Sequence, residues 1–292
     1  MNILGIDSST KRLSLALSRD SSAAAKLEYH SGEGFMKNIM FFIDRLLKKS
    51  GYGVDSVDSF CVNTGPGDFT GTRIGISIAK TLALIGEKPL FGINTLDVFA
   101  VQLLSGNLKS ISRMIYARSG ICNILLVPVI DVRRGEVFFS IYEAGYSAGT
   151  EPTGRIETGN TGIFTGRVSG SHLVEYENFP VLLEKILLSE NLALLDRQKC
   201  TIFLGGTAFD SYRHLYGDLQ KLKYDFILDR KNFYPEAEYL NLCAFFRARF
   251  KNRHQESVEP ELKPGGVPSY PEGDSRVIPY YVREFVPFGG KK

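Results

Sequence analysis

The sequence predicts an α/β protein. Three observations carry that prediction. The chain opens with short apolar runs bounded by turns. Segments of helical periodicity follow, and strand-like and helix-like segments then interleave. ILGIDSS and LSLALS read as two strands joined at residues 8–12, with Leu13, Leu15 and Leu17 alternating in the second. AAAKLEYH supplies a third strand and completes an antiparallel meander. GFMKNIMFFIDRLLKKSG has helical spacing and stops at Gly51. VDSFCVNTG is a buried strand, residues 69–85 are helical, and KPLFGINTL is a short strand. Thr95 is placed to cap a helix over residues 96–104. The order is therefore β-β-β-α-β-α-β-α.

Beyond that point the pattern loosens. Residues 104–123 read as a polar connector, and ILLVPVIDVRRGEVFFSIYEAG as a hairpin turning at Gly135. Residues 145–170 suit strands and loops. PVLLEKILLSE is a helix, KCTIFLGG a strand and PEAEYLNLCAFFRARF a helix, with Pro235 in its first turn. QESVEPELKPGGVPSYPEGDS gathers prolines and glycines and reads as a flexible excursion before the strip RVIPYYVREF.

Bulk composition narrows the function classes. At 292 residues the chain is one large domain or two ordinary ones, and 43% hydrophobic content with 23% charge fits a globular protein. A net charge of +3 is too small to mark a nucleic-acid binder. No run reaches the roughly 18 apolar residues of a membrane span, and MNILGIDSS is not a secretory leader. Cys61, Cys122, Cys200 and Cys243 lie far apart and are expected as buried thiols in a reducing cytoplasm. No metal ligand spacing is present, and His30, His172, His214 and His254 form no sequence pair.

The stretch NTGPGDFTGTRIG, residues 63–75, puts four glycines and a proline at a strand-to-helix junction. It fails the P-loop pattern, because Thr72 and Arg73 follow Gly71, and it fails G-x-G-x-x-G by one residue. Three readings stay open: an anion-holding turn, a purely structural turn, and a packing surface. The third rests on Gly71, Gly75, Ala79 and Ala83, a stripe without bulk, with Ile74, Ile78 and Ile85 assigned to the sheet side. Glycine inside a helix costs about 1 kcal/mol relative to alanine, which suggests that another backbone comes close. In the preceding helix Phe41 sits on a charged face, where it is a candidate anchor for a partner.

ILGIDSSTKRLSLALS, the block NTGPGDFTGTRIGISIAKTLA with GINTLDVFA, and DVRRGEVFFSIY together resemble the TsaB (YeaZ) family, the bacterial partner proteins of tRNA threonylcarbamoyladenosine synthesis. The likeness is dense over residues 1–100 and 125–143, with echoes at FLGGTAFDSY and PYYVRE. Extra length falls near 104–124 and 251–275. The resemblance implies an actin/hexokinase-like (ASKHA) α/β fold of two lobes, each a mixed sheet flanked by helices. The lobes would be residues 1–106 and a divergent 107–292. It implies a non-catalytic scaffold bound to the catalytic subunit TsaD, with TsaE joining, and a homodimer possible through the same helices. The assembly would modify the adenosine beside the anticodon of tRNAs that read ANN codons, receiving the group as threonylcarbamoyl-AMP. ATP and metal are expected on partner subunits, and tRNA is touched only indirectly or weakly.

The expected partner interface is Phe41, Gly71, Arg73, Gly75, Ala79 and Ala83. A bulky Gly75→Leu is expected to abolish partner binding and leave the first lobe folded. No catalytic or metal residue is assigned; the weak nucleotide candidates are Asp7, Thr10, Gly205 and Gly206. The hairpin residues Asp131, Arg133, Arg134 and Glu136 suit a solvated turn or a contact with the cleft or partner. Arg247, Arg249, Lys251 and Arg253 suit a solvated helix end or a phosphate contact. The alternatives are an ATP-dependent small-molecule phosphotransferase of the same fold and a peptidase. The latter lacks a metal pair and a G-x-S-x-G elbow.

Overall fold

The computed structural model describes residues 1–30, 35–117, 123–146, 156–157, 163–188, 200–231 and 233–254. The first sheet follows the sequence order closely. β1 (Asn2–Asp7), β2 (Arg12–Arg19) and β3 (Ser22–His30) form the meander, and α1 (Ile39–Ser50) follows a short 3-10 turn. Gly51 ends α1 at φ 75°, a left-handed conformation that glycine enters without a Cβ clash. β4 (Ser59–Asn63), α2 (Phe69–Ile85), β5 (Leu90–Ile93) and α3 (Thr95–Gly106) complete the unit. Strand order is β3-β2-β1-β4-β5, antiparallel through the meander and parallel from β1 to β5.

Alternation along β2 explains what covers each face. Leu13, Leu15 and Leu17 enter one core with Leu4, Ile6, α1 and α2. Ser14 and Ser18 point to the opposite face, where both bond the helix α8 (Ala237–His254). That helix returns from the far end of the chain onto the back of the first sheet. Asn241, fully buried, donates to the carbonyls of Ile3 and Ala16 and to Ser18 Oγ, and a Cβ at Gly5 would overlap its side chain.

The second lobe repeats the strand plan. β6 (Asn123–Asp131) runs antiparallel to β7 (Glu136–Phe139) and β8 (Tyr142–Tyr146), which share one register, with Val129 opposite Phe139 and Leu126 opposite Tyr142. β9 (Ile156–Glu157), β10 (Ile163–Arg167) and β11 (His172–Glu175) extend that side. β12 (Cys200–Gly205) and β13 (Asp225–Leu228) run parallel to β6, as β4 and β5 run parallel to β1. α5 (Phe179–Leu187), α6 (Ala208–Ser211) and α7 (Leu215–Leu219) line this core. Two mixed sheets flanked by helices constitute the actin/hexokinase-like plan.

Two local expectations change. Residues 108–117, read as a connector, form α4 (Leu108–Ala117), whose buried Ile111 packs with α3. Thr95 does not cap α3; Asn94 does, accepting from the Leu96 amide. The Thr95 hydroxyl is instead drawn to Asn63 Oδ1 and the Pro66 carbonyl, each at 2.7 Å. α3 is buried on nearly all sides and joins the two sheets. Its Gln102 donates to the Tyr234 carbonyl and accepts from the Glu236 amide, clamping the irregular segment that leads back into α8. The proline-rich stretch and the RVIPYYVREF strip lie outside the described residues.

Candidate functional site

The end of β1 and its turn into β2 face the region between the lobes. Asp7 is fully buried. One oxygen accepts from the Ser9 amide and hydroxyl, at 3.0 and 2.8 Å, and the other accepts from Asn63 Nδ2. Burial lifts its carboxyl to about 6, against the lowering effect of those three bonds and of Arg12. Three donors of this chain itself, the Ser9 amide, the Ser9 hydroxyl and Asn63 Nδ2, hold its lone pairs. Thr10 exchanges hydrogen bonds with the Arg12 backbone, and Gly205 lies in the β12–β6 ladder. Gly206 sits at φ 115° hard against the Val129 backbone, so close packing and a left-handed turn both require glycine there. Of the four nucleotide candidates, Thr10 lines a cavity with its neighbour Ser9.

That cavity holds about 30 Å3 and is bounded by Ser9, Thr10, Gly67, Asp131, Arg133 and Tyr234, among others. It admits a water or two, whereas pockets for small ligands run to roughly 300–1,000 Å3. Arg133 reaches across it to Asp68 Oδ2 at 3.4 Å. Asp68 also caps α2, its Oδ1 accepting from the Gly71 amide at 2.8 Å. Asp131, at the end of β6, accepts from the Arg133 amide, Ser211 Oγ and Tyr212 OH. The hairpin is thus internally bonded, with Arg133 and Arg134 both in the left-handed region, at φ 70° and 59°.

α2 has two unlike faces, and the structure reverses the expected assignment. Gly71, Gly75, Ala79 and Ala83 are buried against this chain itself. A Cβ on Gly71 would overlap the Ser8 carbonyl, and one on Gly75 would overlap Ser8 Oγ, which already donates to the Gly71 carbonyl at 2.8 Å. The close foreign backbone inferred from the glycines is the β1–β2 turn. These four positions are not surface, and a leucine at 75 is a folding lesion rather than a binding one. Ile85, assigned to the sheet, stands 77% exposed, while Ile74 and Ile78 are half-buried at the margin.

The solvent side of α2 carries Phe69, Thr70, Arg73, Ser77, Thr81 and Leu84. The Arg73 guanidinium lies 3.9 Å over the Phe69 ring, a stacking that fixes both at the first turn. α1, on the same side of the sheet, exposes Met40 and Phe41, the latter at 61%, with its ring edge-on to Phe42. Phe41 and Arg73 therefore remain at the surface where the sequence placed them. The polar run Thr70, Arg73, Ser77, Lys80 and Thr81 was the overlooked signal. It lies across the helix from the glycines and marks the outer face.

Elsewhere, Arg247 donates to the Gly92 carbonyl and to Asp97, which also holds Arg167 and the Tyr142 hydroxyl. Burial, then the nearby Asp97 charge, pushes the Tyr142 phenol well up. The side chains of Arg249, Lys251 and Arg253 lie outside the described residues. Cys61 and Cys243 are buried thiols, both raised by burial. No helix among the described residues is long and apolar enough to cross a membrane.

A family model described as TsaD, tRNA N6-adenosine threonylcarbamoyltransferase, matches residues 30–142. The tRNA threonylcarbamoyladenosine biosynthesis protein TsaB of Escherichia coli (strain K12) is 33% identical over 143 residues, covering 49% of this chain and 55% of that protein. TsaB of Bacillus subtilis (strain 168) is 28% identical, covering 49% and 56%. In solved structures, YeaZ from Pseudomonas aeruginosa superposes with a TM-score of 0.59 over 96% of this chain and 99% of that one, at 19% identity. The chain is similar to TsaB and YeaZ proteins. It spans about half the length of the curated TsaB proteins it matches, and the match covers the first lobe and the start of the second. The likeness to YeaZ extends to the whole two-lobed fold.

Proposed function

We propose that this chain is a non-catalytic docking subunit in the formation of tRNA threonylcarbamoyladenosine, engaging a TsaD-type catalytic subunit through the outer faces of α1 and α2. One observation carries the reading. The cavity beside the β1–β2 turn holds about 30 Å3 and its rim is bonded within the chain, while Phe41, Phe69, Leu84 and Ile85 stand in solvent on the helices. Apolar area exposed to water on neighbouring helices suits a protein that binds a protein. The TsaB name of its relatives supplies the pathway. ATP and metal belong on the partner subunits, with TsaE joining, and the modified adenosine is the one beside the anticodon in tRNAs that read ANN codons.

The test is co-expression with the host's TsaD-type subunit, followed by affinity capture and measurement of the modified nucleoside in tRNA. The wild-type chain is expected to co-purify one-to-one and to restore the nucleoside in a strain lacking it. Phe41→Asp is expected to lose both while keeping its circular dichroism spectrum. Micromolar, magnesium-dependent ATP binding by the isolated chain would replace this reading with the phosphotransferase.

A further inference from the structure

Asp97 is held by groups from both lobes. It lies in the first turn of α3, the helix that joins the two sheets. On one side its Oδ1 accepts from the Tyr142 hydroxyl of β8 and from Arg167 Nη2 of β10, each at 2.7 Å. The same Arg167 nitrogen donates to the Tyr142 oxygen at 2.7 Å, and the guanidinium stands 5.2 Å from the Tyr142 ring centroid. Its other arm donates to Ser171 Oγ. On the other side Asp97 Oδ2 accepts from Arg247 Nη2 of α8 at 3.3 Å, and Arg247 Nη1 donates to the Gly92 carbonyl of β5 at 3.0 Å. One carboxylate therefore ties β8 and β10 of the second sheet to β5 of the first and to α8 behind it.

The charges here do not balance. Two guanidiniums share one acid, and among the described residues neither meets another carboxylate within 4.0 Å. Neutralising Asp97 would do more than weaken hydrogen bonds. It would leave two cations from opposite lobes facing one uncharged group, so attraction across the joint becomes repulsion. α3 itself would stay in place, because Phe99, Ala100, Leu103 and Leu104 are buried in one core and Val98 and Val101 in another. The ion pair at the cleft, Arg133 with Asp68 at 3.4 Å, is too exposed to hold the lobes alone. From this we infer that Asp97 is the latch of a joint whose axle is α3. Charged, it clamps the lobes at one angle; neutralised, it lets the second lobe swing while both cores stay folded. The latch includes no residue of α1 or α2, so it stands apart from the proposed function.

The test uses the full chain alone, as wild type and as Asp97→Asn, at about 50 and about 500 mM NaCl, where screening lengths differ severalfold. Amide hydrogen exchange is read by mass spectrometry and the radius of gyration by X-ray scattering. At low salt Asp97→Asn is expected to exchange about tenfold faster in β10 and in the second half of α8, with unchanged rates in β1 and β4 and a larger radius. Salt is expected to act in opposite senses. It screens an attraction in the wild type and a repulsion in the variant, so the first loosens and the second closes. A role in stability alone would speed exchange by one factor everywhere and give both proteins the same salt trend. That result, or equal radii at low salt, overturns the inference. Arg247→Gln, which removes a partly exposed side chain, is the second variant. It is expected to speed exchange in the second half of α8 and to leave β1 and β4 unchanged. Should Asp97→Asn fail to fold, that local acceleration upholds the latch, and unchanged exchange in α8 overturns it.

Discussion

Asp7 and Asp131 occupy equivalent places in the two lobes, each at the end of the first strand of its sheet and each beside the cleft. Their surroundings differ. Asp7 is sealed, and Asn63, which donates to it, is held in orientation because its own Oδ1 accepts from the Gly65 amide and the Thr95 hydroxyl. Asp131 is half-buried and bonded by two hydroxyls that can rotate. The first carboxylate is built into the wall, and the second is part of an adjustable turn. The same strand plan has been frozen in one lobe and left tolerant in the other.

Substitutions at the close approaches should break this contrast hardest. Gly75→Leu drives a side chain into Ser8, and Gly206→Ala adds a Cβ both against the Val129 backbone and at φ 115°. Each is expected to cost more than about 3 kcal/mol, read as a collapse of the thermal transition or loss of soluble protein. Asp7→Asn comes next. Its new amide would face the Asn63 amide donor to donor, and Asn63 cannot flip without abandoning its own partners, so a loss of about 1–3 kcal/mol is expected in urea denaturation.

The same variant sharpens the comparison through pH. Folded Asp7 takes a proton at about 6 and the unfolded group near 3.8, so its contribution is greatest below 3.8 and declines as pH rises to about 6. Going from pH 6 to pH 4, the wild type should gain on Asp7→Asn by about 1.4 kcal/mol per unit. A difference independent of pH would contradict the buried, proton-accepting state. Asp131→Asn is expected to cost less than about 1 kcal/mol, because Ser211 can turn its hydroxyl to accept. Smallest of all is Arg133→Gly. Losing an exposed ion pair worth at most about 1 kcal/mol is offset by relief of a left-handed arginine, for a net change within about 0.5 kcal/mol.

The first sheet was legible because its signals are local. Leu13, Leu15 and Leu17 alternate, Gly51 ends a periodic segment, and a glycine turn sits between apolar runs. The inward side of α2 was not legible from its apolar residues alone. Bulk usually marks the core, but here the β1–β2 turn comes so near that only glycine fits at 71 and 75, Ile76 being buried further round the helix, and Ile85 stands in water. The fate of Asp7 depended on Asn63 and Thr95, distant in sequence, and no periodicity reports such a triangle. α4 was missed because its apolar positions Leu108, Ile111, Met114 and Ile115 are set among Lys109, Ser110, Ser112 and Arg113, which read as a loop.

The return of α8 to the back of the first sheet has a consequence for biogenesis. A nascent chain that has emerged only through residue 106 has Val98 and Val101 of α3 beside Ile3, Cys61 and Ile93 but lacks Leu240, Cys243 and Ala244 to complete the cover, and it has no Asn241 to donate to the carbonyls of Ile3 and Ala16. The N-terminal lobe must wait on the ribosome, half-assembled and sticky, until more than half of the protein beyond it has been translated. Folding of the surface that would meet a partner is thereby timed by the last described helix, and a truncated product would never mature enough to occupy that partner unproductively.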